Sequence, residues 1–250
     1  MRGRLDWLER WLHLRLLGRH PYNTILNYNW VNVRPMVRTL RALAPLMHGR
    51  VVDVGAGRSP YYDVFSAGAR SYIAVDYPAS LPADEARPIA RVAGVVEALP
   101  LRDGSADALL STQVLYQTID PSRGLREVCR VLRPGGHAIL SAPHSSPVHS
   151  EPYDLYRFTP QGLRRLGEEA GLEVVRLETQ GQLFSGFALA LAMNLVLTPV
   201  SPGRPMEVRP RRQLLFAPLI GLVNALAYLL DRALPFNRSP VNLIVVLRKR

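Results

Sequence analysis

The chain has 250 residues, a net charge of +11 and a single cysteine, Cys129. That length gives one substantial domain with additions, and 48% apolar against 20% charged residues excludes a disordered chain. One cysteine excludes an intrachain disulfide and any multi-cysteine zinc or iron–sulfur site, and it fits a cytoplasmic location. The charge is uneven: residues 1–50 carry a net +7, residues 51–202 a net −3 and residues 203–250 a net +7. A nucleic-acid enzyme would place basic residues around its cleft, whereas here they flank a mildly acidic middle.

The start of the chain does not read as a signal peptide, because Asp6, Glu9, Arg10 and Arg15 interrupt any apolar run. Leu5, Leu8, Leu12 and Leu16 recur at helical spacing, widened by Trp7, Trp11 and Leu14, so residues 4–17 are expected to form a basic amphipathic helix. Such a helix lies in a membrane interface or packs on the domain. A second helix is expected over 32–47, with Pro35 near its start and Pro45 near its end. From residue 50 onward strands and helices alternate. Residues 50–54 read as a buried strand ending in Gly55-Ala56-Gly57, and 71–75 as the next, ending at Asp76. A strand at 108–111 precedes a helix at 121–132, marked by Asp120 as cap, Pro121 at its first position and an apolar face of Leu125, Val128, Cys129 and Leu132. A strand at 137–142, a helix at 159–170 and strands at 172–179 and 241–248 complete the pattern of a mainly parallel α/β fold.

Glycines after the first strand let a ligand approach the backbone, and Asp76, 19 positions after Gly57, stands where a ribose carboxylate is needed. Pro60 replaces the third glycine that a pyrophosphate cofactor would want. The surrounding residues carry a more specific pattern. Val51-Val52-Asp53-Val54-Gly55-Ala56-Gly57 resembles the first motif of class I S-adenosylmethionine-dependent methyltransferases, and Tyr72-Ile73-Ala74-Val75-Asp76 their second-strand motif. Glu97–Leu101 with Asp103–Asp107, then Val114–Gln117 and Glu127–Gly136, follow in the family's order. The chain resembles type 11-like methyltransferases, within a bacterial subgroup that carries a Glu-Pro-Tyr-Asp…Arg-Phe-Thr segment.

The resemblance implies a Rossmann-like fold: a seven-stranded, mostly parallel sheet with a helical insertion before the last strand. Together with the charge distribution and the uncharged stretches, it gives expected domains at 1–48 (basic helices), 49–182 (cofactor core), 183–239 (hydrophobic helical pair) and 240–250 (last strand and basic tail). S-adenosylmethionine is the implied cofactor, and no metal is implied. Gly55, Ala56 and Gly57 would lie under its methionine part, Asp53 would hold that loop and the amino group, and Asp76 with Tyr77 would meet the ribose. Val96, Glu97, Ala98 and Leu99 would wall the adenine, with Ser111 and Gln113 near the sulfonium. A solvent-facing Glu97 is the plain alternative. The chain departs from the family at Val95 and Gln117, where many relatives have Asp and His.

Residues 141–160 are rich in proton-binding groups, and an acceptor can reach the methyl group there. His144 and His149 are candidate general bases for a hydroxyl acceptor. Tyr61, Gln117, Tyr153, Asp154 and Arg157 are candidate acceptor contacts, and an Asp154–Arg157 pair bracing the loop is the structural alternative. Residues 111–114 lack the Asn/Asp-Pro-Pro-aromatic motif of amino-base methylation, and Cys129 lies on a buried helix face, so nucleic acid is not the expected acceptor.

Residues 183–200 and 214–230 contain no charge. They are expected to dip into one leaflet of an anionic membrane, to pack within the domain or a homodimer interface, or to span the bilayer. Arg204, Arg209, Arg211 and Arg212 between them would have to cross for spanning. The expectation is a methyltransferase for a small-molecule, saccharide or lipid-linked acceptor at the cytoplasmic face of the cell membrane. The alternatives are an enzyme for a soluble metabolite and a non-catalytic scaffold.

Overall fold

The computed structural model describes residues 11–81, 87–198, 206–236 and 238–250. The chain divides into two compact units. The described residues of Thr39–Pro143, Leu155–Thr179 and Leu243–Arg250 make one, and those of Met1–Arg38, His144–Asp154 and Gln180–Asn242 make the other. The N-terminal segment and the helical insertion, expected as separate appendages, thus share a unit, together with part of the segment after the fifth strand.

The strands of the main sheet are β1 (Gly49–Val54), β2 (Ala69–Asp76), β3 (Ala90–Ala93), β4 (Ala106–Thr112), β5 (Leu132–Pro143), β6 (Leu172–Gln180) and β7 (Asn242–Lys249). They form one sheet in the order β3-β2-β1-β4-β5-β7-β6. Pairs β1–β2, β1–β4, β2–β3 and β4–β5 are parallel. The sequence pattern explains the central strands, because Val51–Val54 and Ala106–Ser111 are buried on both faces and read as mainly apolar runs, with Asp107 the charged exception in β4. Asp53 is the polar exception in β1. β3 was not anticipated: four residues, Ala-Arg-Val-Ala, at the sheet edge offer almost no periodic signal. β5 starts at Leu132 rather than 137, and the register with β4 shifts between Ala106 and Ala108 opposite it.

Helix α1 spans Trp30–Leu43, followed by a 3₁₀ turn at Ala44–Leu46. It starts two residues before the expected point and gives way to the 3₁₀ turn where Pro45 approaches. Helix α2 (Tyr62–Phe65) is one turn, α3 is Pro121–Val131 and α4 is Pro160–Glu169. Both longer helices start as their sequences dictate. Asp120 accepts from Arg123 N at 2.9 Å, Thr159 accepts from Gly162 N at 3.0 Å, and each is followed by proline. Leu125, Val128 and Val131 of α3 and Leu163 of α4 join Val52, Leu109, Leu140 and Val245 of the sheet in one core cluster.

The second unit is built on α5 (Leu183–Val196) and α6 (Pro210–Ala233). Trp30, Ala188, Leu189, Met193, Ala227 and Val241 share a cluster there. Asp231, near the end of α6, accepts from Phe184 N, Ser185 N and Ser185 Oγ at 3.0, 3.1 and 2.6 Å, so it caps α5, whose own preceding residue supplies no cap. Arg34 lies over the rings of Trp30 and Tyr228, 4.9 and 5.0 Å from their centroids. Of the expected first helix, residues 4–10 lie outside the described residues. Trp11 and Leu12 are helical, and His13–Leu17 form a π-helical turn.

Candidate active site

The first motif folds as a tight loop between β1 and the end of β2. Gly55 N and Ala56 N donate to Val75 O at 2.8 and 3.3 Å. Gly55 and Gly57 have φ of +68° and +50°, which disfavour a Cβ. The two glycines differ in what surrounds them. A Cβ on Gly55 would overlap Val114 Cγ2, whereas one on Gly57 would meet nothing within 4 Å. Gly55 therefore admits Val114, and Gly57 faces open space that a ligand can use.

Asp76 closes the loop from the other side. Its Oδ2 accepts from Gly57 N at 2.6 Å and its Oδ1 from Tyr77 N at 2.7 Å. A carboxylate has about four acceptor positions, so capacity remains for two hydroxyls. Tyr77 is exposed. Asp53 is buried and accepts from the Tyr72 hydroxyl at 2.9 Å. Burial pushes its carboxyl up to about 7; the Tyr72 hydrogen bond opposes the rise, and the charge of Asp76 adds to it. Tyr61 is also buried, and loss of water together with Asp53 pushes its phenol up. Tyr62 meets the Tyr72 ring edge-on at 5.0 Å, and Arg87 lies over Tyr62 while donating to Ser59 O at 3.0 Å. Tyr72 and Arg87 were missed. Tyr72 stood in the sequence only as the first residue of the second-strand motif, with no role assigned to it.

At the end of β4, Gln113 adopts φ +57°. Its backbone N and its Nε2 both donate to Ser141 Oγ at 3.1 Å. Ser141 was not singled out, because nothing local in the sequence pairs two adjacent strand ends. Ser111 Oγ and Ser59 Oγ are buried without a hydrogen-bond partner. The adenine-wall residues are divided. Val96 and Leu99 are buried in the core cluster, while Ala98 is exposed. Glu97 Oε1 accepts from Ile119 N at 3.0 Å, so that carboxylate braces a loop rather than facing water alone. Gln117 donates to the Tyr116 hydroxyl at 2.5 Å, and the Arg157 guanidinium lies over the Tyr116 ring at 5.7 Å.

His144, His149, Tyr153 and Asp154 belong to the second unit. There Asp154 Oδ2 accepts from His149 N and Ser150 N at 2.7 and 3.1 Å. Asp154 thus organises its own loop, and Arg157 donates to Tyr156 O at 2.9 Å. His149 Nδ1 lies 2.8 Å from Pro147 O. Tyr153 is exposed.

These residues fit S-adenosylmethionine. The open space beside Gly57, the buried unpartnered hydroxyls of Ser59 and Ser111 and the residual capacity of Asp76 supply polar groups for a nucleoside with an amino-acid tail. Residues 52–140 match the family model described as Methyltransferase domain. A demethylmenaquinone methyltransferase of Clavibacter sepedonicus is 32% identical over 128 residues, covering 48% of this chain and 52% of that protein. An uncharacterized methyltransferase of Mycobacterium tuberculosis is 36% identical over 102 residues, covering 38% of this chain and 40% of its own. The chain spans about half the length of the curated relatives it matches. Among solved structures, an S-adenosylmethionine-dependent methyltransferase from Mesorhizobium loti superposes with TM-score 0.54 at 19% identity, covering 89% of this chain and 98% of that one. The [4+2]-cyclase SpnF superposes with TM-score 0.58 at 19% identity, covering 87% and 81%.

Proposed function

We propose, from the premise that residues 52–140 form a class I S-adenosylmethionine-dependent methyltransferase domain, that this chain methylates a small-molecule or lipid-linked acceptor at the cytoplasmic face of a membrane. The observation that carries the methyl-transfer reading is the loop Gly55–Ser59, held between Val75 O and the Asp76 carboxylate with its open side at Gly57. When bound, S-adenosylmethionine supplies a methyl group on a positively charged sulfur, ready for in-line displacement. The residues of the chain then bind and align. Asp76 would accept from the ribose hydroxyls, Asp53 in its charged form would attract the ammonium group, and Gln113, fixed by Ser141, would border the reacting end. Relatives named demethylmenaquinone methyltransferase support a small-molecule acceptor. The apolar helix Pro210–Ala233 supports the membrane face.

For a hydroxyl acceptor, His144 and His149 are the candidate bases, and the ring of His149 has a defined hydrogen-bond partner. A carbonyl can only accept, so the contact with Pro147 O places the proton of the neutral ring on Nδ1 and the lone pair on Nε2. The nitrogen suited to take a proton is thereby defined before an acceptor arrives.

A second reading has a specific motive. A [4+2]-cyclase shares the fold, so the fold alone does not fix methyl transfer. A soluble-metabolite acceptor and a non-catalytic scaffold are the further alternatives. Incubation with methyl-labelled S-adenosylmethionine and, separately, a membrane-lipid extract and a soluble-metabolite pool decides among them. Label in the lipid extract is expected, reduced at least about tenfold by Asp76→Ala through loss of a charged acceptor. Label only in the soluble pool removes the membrane acceptor, and cofactor binding without label in either pool overturns methyl transfer.

A further inference from the structure

Helix α6 mixes polar side chains with Ala217, Ile220 and Ala227 on its buried stripe and exposes leucines on the other. The stripe it turns toward its own unit carries Gln213, Asn224 and Asp231, which are 1%, 0% and 7% exposed. Each is engaged by that unit. Gln213 Oε1 lies 3.0 Å from His13 Nε2, Asn224 Nδ2 donates to Ile25 O and Asn27 O at 2.7 and 3.1 Å, and Asp231 caps α5. These residues stand three and then two helical turns apart, so the polar seam runs along most of the helix. The outward stripe is Leu215, Leu219, Leu222, Leu226 and Leu229, spaced alternately by four and three; Leu215, Leu222 and Leu229 are 73%, 58% and 60% exposed. Phe187 and Leu191, one turn apart on α5, are exposed as well. A water-facing helix does not present such an unbroken apolar stripe to solvent.

We propose that the leucine stripe of α6 is a docking surface for an anionic lipid leaflet, with the helix lying along the membrane plane. This deepens the membrane-face reading above and rests on it. Two observations select the occupant. Arg209, Arg211 and Arg212 stand at the start of the helix, and Arg232 and Arg238 at and just past its end. With both ends basic, a second copy meeting the stripe in either direction brings arginine against arginine, whereas anionic headgroups complement them. The helix is long and apolar enough to cross a bilayer, its most apolar 18-residue stretch having a mean hydropathy of 1.8. Its polar seam, however, is bonded to the unit near its start, middle and end, which suits a helix with one face on protein and the other in the interface.

The test is flotation of the full chain with vesicles of phosphatidylcholine containing a minority of phosphatidylglycerol. The wild type should float, more weakly as salt rises. Leu222→Glu/Leu226→Glu should reduce the bound fraction at least about tenfold. Arg211→Gln/Arg212→Gln should reduce binding only to the anionic vesicles. Leu215→Gln/Leu219→Gln gives a second substitution of the stripe should the first fail to fold. Calorimetry with S-adenosylmethionine should give the same affinity for every variant, and light scattering should give a monomer. Wild-type protein left at the bottom of the gradient, or leucine variants that float equally, overturns the docking surface. A wild-type dimer that the glutamates dissociate assigns the stripe to a second copy instead. Failure of flotation with cofactor affinity intact removes the docking surface alone; failure of cofactor binding with flotation intact removes the methyltransferase reading alone.

Discussion

The Tyr72 hydroxyl reaches from β2 to the buried Asp53 carboxylate on β1, 2.9 Å away, and donates to it. The pair sets a pH dependence with a definite sign. An unfolded Asp titrates near 3.8, and the buried Asp53 near about 7. Between those values the folded chain keeps a proton that the unfolded chain has released. Stability from this group is therefore fully present below the unfolded value and is lost as pH rises through about 7. The stability of the wild type relative to Asp53→Asn should fall as pH rises from about 5 to about 7.5, at no more than about 1.4 kcal/mol per pH unit. Urea denaturation at several pH values measures it, and a constant difference contradicts it.

The same ionisation should govern cofactor affinity in the opposite direction. A charged Asp53 attracts the ammonium group, so S-adenosylmethionine should bind more tightly as pH rises through about 7. Asp53→Asn should bind weakly with a flattened profile. Tyr72→Phe removes the donor that favours the charged form, and should move the rise to higher pH. Calorimetry across this range checks all three.

Gly55→Ala should destabilise the cofactor unit by about 2–5 kcal/mol. About 1–2 kcal/mol comes from the left-handed backbone and the rest from overlap with Val114. Adding Val114→Ala should recover the overlap part only. A double-mutant cycle by urea denaturation separates the two, and full recovery would show that the backbone conformation costs nothing.

Asp231→Ala should cost about 2–4 kcal/mol, because three donors at the start of α5 lose their acceptor inside the protein. Asp231→Asn should lie between wild type and alanine, since one carbonyl oxygen remains to accept. Equal stability of the alanine variant would show that another group caps α5.

Much of this was legible in the sequence because the responsible forces are local. Asp120-Pro121 and Thr159-Pro160 announced their helices, and Val51–Val54 its buried strand, since capping and burial leave their mark on neighbouring residues. Gly55 and Asp76 were legible through the order of the motifs. Tyr72 on Asp53, Ser141 on Gln113 and Asp231 on α5 were not, because each joins residues far apart in the chain. The character of α6 lay between these extremes. Its lack of charge was evident, but composition does not say which stripe turns inward. The regular spacing of Gln213, Asn224 and Asp231 was the available signal, and it becomes meaningful only when their partners are known.

The sheet order places the last strand, β7, between β5 and β6. Those two strands leave the ribosome well before the one that joins them, and the whole segment from Leu183 to Ala233 emerges in the interval. Until residues 242–249 arrive, β5 has an open edge and β6 has no neighbour at all. The nascent chain must therefore hold exposed strand edges and a leucine-faced helix together, a hazard for self-association during synthesis. Early capture of that helix by a lipid surface would shorten the period in which both are exposed.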